Sequence, residues 1–231
     1  MLKFVLRISI LLLLITTSKI YATDRLKWDY SKYKDYDYKS FFDSRYARQK
    51  IKFDDIDYPL LHAAIFYETN RQRVLSALSP FIHSPSLEKA AHEHSIDMVA
   101  YNFFSHTSVI KGKETISKRL AEVGIKNAYT AENIANFSAI EYQPGKPVFA
   151  PSQNGGYFSY TYRGEPIGNC TYMSAAKAVL KQWMDSPMHR KNILNKKFKY
   201  LGVGAAYFEE KNFHNMPCFK VTQNFASVRG N

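Results

Sequence analysis

The chain has 231 residues, 45% of them apolar and 23% charged, with a formal net charge of +12. That is enough for one domain with a real core plus an extension, and the composition is globular rather than disordered. No dense basic run and no nucleic-acid motif accompanies the charge, which excludes a nucleic-acid role and leaves scattered lysines on solvated faces, or adhesion to anionic lipid, polysaccharide or cell-wall polymer.

Residues 1–22 read as a signal peptide. Lys3 and Arg7 precede an apolar stretch over 8–15 interrupted only by Ser9, and small and polar residues lead to Ala22. The stretch is too short for a membrane span, so the mature chain is expected to have none and to be exported, either secreted or periplasmic. Cleavage there removes Lys3, Arg7 and Lys19 and leaves 29 basic against 20 acidic side chains, a net +9.

Residues 23–57 are rich in Tyr, Lys and Asp with no sustained periodicity. They read as an extended arm, wrapped on the domain through its aromatics or serving as a partner-binding strip, with packing favoured. The remaining residues, 58–231, form the domain. Leu61, Ala64, Ile65, Glu68, Val74, Leu75 and Leu78 recur at helical spacing from Pro59 until Pro80. A second helix is predicted from Ser86 as N-cap, with Leu87, Ala90, Ala91, His94, Met98 and Val99 as its apolar stripe. On that stripe His94 reads as a packed histidine. A third helix spans 115–123 and stops at Gly124.

Pro, Gly and aromatic residues alternate over 137–172, which predicts one or two hairpins in a long loop. A helix over 174–185 and strands over 200–208 and 219–225 complete the chain. Helices first and antiparallel strands late predict an α+β sandwich. Cys170 and Cys218 are candidates for one disulfide in an oxidising compartment, and their spacing excludes a CxxC redox site.

Four segments carry the candidate chemistry: Phe103-Phe104-Ser105-His106-Thr107, Ala131-Glu132-Asn133-Ile134-Ala135, the run from Trp183 through Asp185-Ser186-Pro187-Met188-His189 to Leu194, and Leu201-Gly202-Val203-Gly204-Ala205. Ser186-Pro187 suits a helix start and places His189 in a first turn, where the positive helix end favours neutral imidazole. In this order, with Asn70-Arg71 upstream, the segments resemble the CAP superfamily of cysteine-rich secretory, antigen 5 and pathogenesis-related proteins, and particularly its bacterial secreted branch. The resemblance covers about residues 60–226. It implies an α-β-α sandwich with a central antiparallel sheet flanked by helices.

It also implies a cleft with two histidines and two acids. Matching motifs puts His106 and His189 as the histidines and Glu132, followed by Asn133, as the first acid. The second acid falls on Ser186, with Asp185 one position away. His106, His189 and Glu132 are the residue types to hold zinc or another divalent cation, to act as general acid and base, or to interlock loops by hydrogen bonds. The leading expectation is a non-catalytic exported module that binds a lipid, a glycan or a cell-envelope partner through the cleft and the aromatic loop beside it. The rival is a metal-dependent, protease-like hydrolase using His106, Glu132 and His189; a structural envelope module is the third reading. No GxSxG elbow or HExxH pair is present.

Overall fold

The computed structural model describes residues 26–230. The signal-peptide reading of 1–22 lies outside them. Among the described residues no helix is long and apolar enough to cross a membrane.

The elements are α1 (Tyr38–Asp43), α2 (Arg45–Arg48), α3 (Tyr58–Leu75), β1 (Ile82–His83), α4 (Pro85–Ala100), α5 (Ile116–Glu122), β2 (Thr130–Ser138), α6 (Tyr172–Asp185), α7 (Pro187–Ile193), β3 (Tyr200–Glu210) and β4 (Met216–Ala226), with short 3-10 turns between. The sheet order is β1-β3-β4-β2. The three long strands are antiparallel, and the two-residue β1 adds a parallel edge beside β3, so the sheet is mixed rather than wholly antiparallel. The segment Thr130–Ser138, to most of which the sequence reading assigns no element, is the edge strand β2.

Side-chain alternation gives the sheet two buried faces. Thr222 turns toward α4, where Ser95 Oγ donates to its hydroxyl at 2.9 Å. Its neighbour Gln223 turns the other way, and its Nε2 donates to Thr69 Oγ1 on α3 at 2.7 Å. Helices α4 and α5 thus cover one face, and α3, α6 and α7 the other, giving the α-β-α layering. The Gly-Val-Gly segment of β3 has a steric origin. A Cβ on Gly202 would lie 2.0 Å from the Glu88 nitrogen, and one on Gly204 2.0 Å from the His92 nitrogen. Helix and strand backbones touch there, and only glycine fits.

Helix α4 starts earlier than its sequence suggests. Ser84, not Ser86, is the N-cap, accepting from Leu87 N–H at 3.3 Å, because Pro85 occupies the first helical turn. The N-terminal segment is not an extended arm. Asp29 caps a 3-10 turn over Tyr30–Lys34, and Asp37 and Ser40 form a capping box on α1. Trp28 is buried edge-on against Tyr33, Phe41, Tyr46 and Tyr67. A buried carboxylate fastens this segment to the domain. Glu88 of α4 accepts from His62 Nδ1 (3.0 Å), His83 Nε2 (2.6 Å) and the Tyr33 hydroxyl (3.2 Å). His62 Nε2 accepts the Ala205 N–H at 3.0 Å, which fixes the proton on Nδ1.

The loop after β2 is closed by isolated bridges, Ile140 with Asn169 and Phe149 with Ser159, rather than by regular hairpins. Its Ile140 and Phe158 form a small apolar cluster with Met216 and Cys218 at the far end of the β3–β4 pair.

Both cysteines are free and buried. Ala139 lies between them: its N–H donates to Pro217 O at 2.7 Å and its carbonyl accepts from Cys170 N–H at 2.9 Å. Two strand spacings, about 9.5 Å, therefore separate the two cysteine backbones, more than a disulfide spans. The disulfide expectation is corrected on this point.

Candidate functional site

Glu132 sits on edge strand β2 with its side chain toward α4 and α5, only 8% exposed. Arg119 of α5, equally buried, donates from Nη2 to Glu132 Oε2 at 2.7 Å. His106 Nδ1 lies 2.8 Å from Glu132 Oε1. The Asn224 amide, in the orientation that satisfies both of its ends, donates to Oε2 at 3.2 Å. Burial alone would raise the Glu132 carboxyl; the His106 hydrogen bond and the Arg119 charge outweigh it and hold the group below its ordinary value. An ionised carboxylate only accepts, so His106 in its neutral form carries its proton on Nδ1 and has Nε2 as an acceptor.

His106 itself is exposed, with 55% of its side chain accessible. Its loop is pinned from beneath. Arg119 Nη1 donates to His106 O (3.2 Å) and Lys113 O (3.0 Å). The buried Lys220 ammonium donates to Met98 O (2.8 Å) and Phe103 O (2.9 Å), capping the end of α4. Burial lowers the Lys220 pKa from its ordinary value.

Asn133 points to the opposite face and is fully buried. Its Nδ2 donates to His189 O at 3.2 Å, and its Oδ1 accepts from Asn192 Nδ2 at 2.9 Å. The Glu132-Asn133 pair thus holds the His106 loop with one side chain and α7 with the next. His189, half-buried in the first turn of α7, has its pKa lowered by burial and then by the charge of His106. Its Nδ1 is buried with no hydrogen-bond partner among the described residues.

Asp185 is not brought to this group. It is exposed and pairs with Lys181 at 2.5 Å along α6. Ser186 is the N-cap of α7 by position, yet its side chain makes no capping hydrogen bond. His94, read from the sequence as packed, is fully buried, but it also belongs to the site. Its Nε2 lies 3.1 Å from Ser105 O and 3.9 Å from Glu132 Oε1, and burial pulls its pKa to about 4. Arg119 was missed altogether. A lone arginine in a short helix carries no signal until the fold places it against Glu132.

The aromatic loop is also misplaced by the sequence reading. It leaves β2 at Ser138, six residues from Glu132, a distance of about 20 Å along the strand. The exposed apolar residues nearest the histidines in sequence are instead Phe104 and Val109, two and three residues from His106, and Met188, next to His189; they are 50%, 64% and 71% exposed.

A three-ligand zinc site does not fit these donors. Both Glu132 oxygens are engaged, with a guanidinium on one of them, and two imidazoles are one ligand short of a catalytic zinc set. Among the described residues no three His, Cys, Asp or Glu side chains converge to hold a metal ion.

An α-β-α sandwich whose edge strand presents a buried Glu hydrogen-bonded to an exposed histidine defines a recognisable class of small domain. Residues 66–225 match the cysteine-rich secretory protein family, CAP, and the chain belongs to it. An uncharacterized protein of Bacillus subtilis, YkwD, is 29% identical over 136 residues, which are 59% of this chain and 38% of that protein. An extracellular protein containing an SCP domain from Bacillus anthracis shares the fold at a TM-score of 0.50 and 24% identity, covering 78% of this chain and 45% of that one. An outer surface protein of Borrelia burgdorferi aligns at a TM-score of 0.44 and 18% identity, over 71% of this chain and 90% of that one. The chain spans less than half the length of the two Bacillus relatives.

Proposed function

We propose that this is an exported, non-catalytic binding domain of the bacterial cell envelope, and that its cleft takes an amphiphilic ligand of the lipid class. The observation that carries the reading is that exposed Phe104, Val109 and Met188 lie on the two segments that carry His106 and His189. Apolar side chains left in water beside a few convergent polar groups are what a ligand site presents. Glu132, saturated by Arg119, His106 and Asn224, serves as the post that holds the rim in place. Glycan or envelope-protein ligands are the alternatives within the same class. The signal-peptide pattern and the bacterial extracellular relative support export.

A fluorescent fatty acid titrated into the mature protein tests this. Phe104→Ser/Met188→Ser and His106→Ala/His189→Ala are each expected to weaken binding by about tenfold, a loss of about 1.4 kcal/mol. Unchanged binding in both, or none in the wild type, rejects the lipid reading. Retention on insoluble peptidoglycan would then favour the glycan ligand.

One observation favours a second reading. A buried carboxylate fixing His106 Nδ1 and freeing Nε2 is the orienter–base half of a hydrolytic site. No hydrogen bond joins either cleft histidine to a Ser, Thr or Cys side chain among the described residues, so water would be the nucleophile. Hydrolysis of a peptide or ester substrate, lost in a folded His106→Ala variant, would establish that reading over the first.

A further inference from the structure

Arg73, in the last turn of α3, is a cation the fold buries without a counter-charge. It is 3% exposed, and its guanidinium stacks 3.9 Å from the Phe81 ring centroid. Nε donates to Ser79 O at 2.7 Å, and Nη1 to Ile193 O at 2.7 Å and Asn195 O at 3.1 Å. All three acceptors are carbonyls. Among the described residues no carboxylate forms an ion pair with it. Buried charges are ordinarily paired, because an uncompensated one loses its hydration. Burial draws Arg73 only to about 10, so it remains a cation at neutral pH.

The third guanidinium nitrogen, Nη2, has no hydrogen bond among the described residues and is not enclosed by protein. Arg73 lines a surface cavity of about 490 Å³ together with Ser79, Ile82, Phe198, Lys196 and Lys199, and no acidic side chain contributes to the lining. Both lysines are exposed and free of ion pairs among the described residues. None of the cleft residues takes part.

We propose that this cavity is an anion site that binds the phosphate group of a phosphorylated ligand, with Arg73 Nη2 as the fixed donor and Lys196 and Lys199 closing over it. Three positive groups and no negative one match a dianion better than a carboxylate. The planar guanidinium, already held by three carbonyls and a ring, is pre-set for a phosphate oxygen. Ser79 and the Phe198 ring leave room for the rest of the ligand.

The test uses calorimetry with inorganic phosphate and co-sedimentation with phosphatidic acid vesicles, on the mature chain. Arg73 holds three carbonyls on two backbone segments, so its removal risks the fold; the lysines do not. Lys196→Ala/Lys199→Ala is expected to weaken binding by about tenfold or more, while Lys126→Ala/Lys177→Ala, which removes the same charge from other exposed positions, leaves it within about twofold. Lysine-dependent binding of phosphate alone identifies a small phosphorylated ligand. The same dependence on vesicles identifies a lipid headgroup. No binding of either probe, or equal loss in both double variants, overturns the proposal.

Discussion

Arg119 Nη2 and Glu132 Oε2 meet at 2.7 Å with both side chains only 3% exposed, joining α5 to the edge strand beneath the His106 loop. Removing one partner of such a pair strands the other charge in the interior, at a cost of about 3–5 kcal/mol. Arg119→Ala and Glu132→Ala are each expected to lower unfolding stability by that order in urea titrations, and the double variant by much less than their sum. Near-additive losses would show that the two groups do not act as a pair.

Two buried groups predict acid sensitivity over adjoining windows. His94 is held at about 4 against an ordinary 6.5, mainly by burial. Between those values the unfolded chain binds a proton that the folded chain refuses, so this contribution is full above pH 6.5 and is lost as pH falls to 4. Glu88 is held at about 2 against 4.5: burial raises it, and hydrogen bonds from His62 and His83 more than offset that. Its contribution is full above 4.5 and is lost as pH falls toward 2. Each is worth on the order of 3 kcal/mol. Stability measured from pH 7 downward should therefore decline in two stages, and His94→Gln should flatten only the upper one. A flat profile between pH 6.5 and 4 in the wild type would contradict the burial of neutral His94.

The cysteines give a simple chemical check. Burial pushes both thiols up to about 12, which leaves them protonated and inaccessible. A thiol reagent under non-reducing conditions is expected to titrate none in the native protein and two after unfolding. Zero thiols after unfolding would mean that a disulfide forms and that the segment around Ala139 is arranged differently.

The helices and late strands were legible because their apolar residues repeat with the right period; α3 and α6 begin within about two residues of where the spacing places them. The edge strand was not. Its sequence, Thr-Ala-Glu-Asn-Ile-Ala-Asn-Phe-Ser, puts Glu132 and Asn133 inside on opposite faces, so the buried positions carry polar groups and the alternation disappears. The N-terminal helices escaped for another reason: each is about a turn long and depends on Trp28 and its aromatic neighbours rather than on any periodicity. For the candidate site, motif order named His106, Glu132 and His189, of which the structure joins the first two by a hydrogen bond. Partners that act from a distance in sequence, such as Arg119 and Lys220, have no local signature. The disulfide was an inference from compartment alone, and the intervening segment at Ala139 rules on it.

The occupancy of Glu132 also bears on metal chemistry. Zinc needs an unprotonated imidazole nitrogen from each histidine and a third protein ligand, and the carboxylate that would supply it is held by Arg119 and already bonded to His106 Nδ1. Releasing an oxygen to a metal would also leave the buried guanidinium unpaired and bring a second cation beside it. Calorimetric titration with zinc is therefore expected to give the same weak, nonspecific heats for the wild type and for His106→Ala/His189→Ala. Arg119→Gln, which frees one carboxylate oxygen, is the variant in which binding should first emerge, provided circular dichroism shows it folded. Tight, stoichiometric zinc binding by the wild type, lost in the histidine double variant, would instead place a metal in the cleft. It would also require Glu132 to exchange Arg119 for the metal, and would turn the functional question toward hydrolysis.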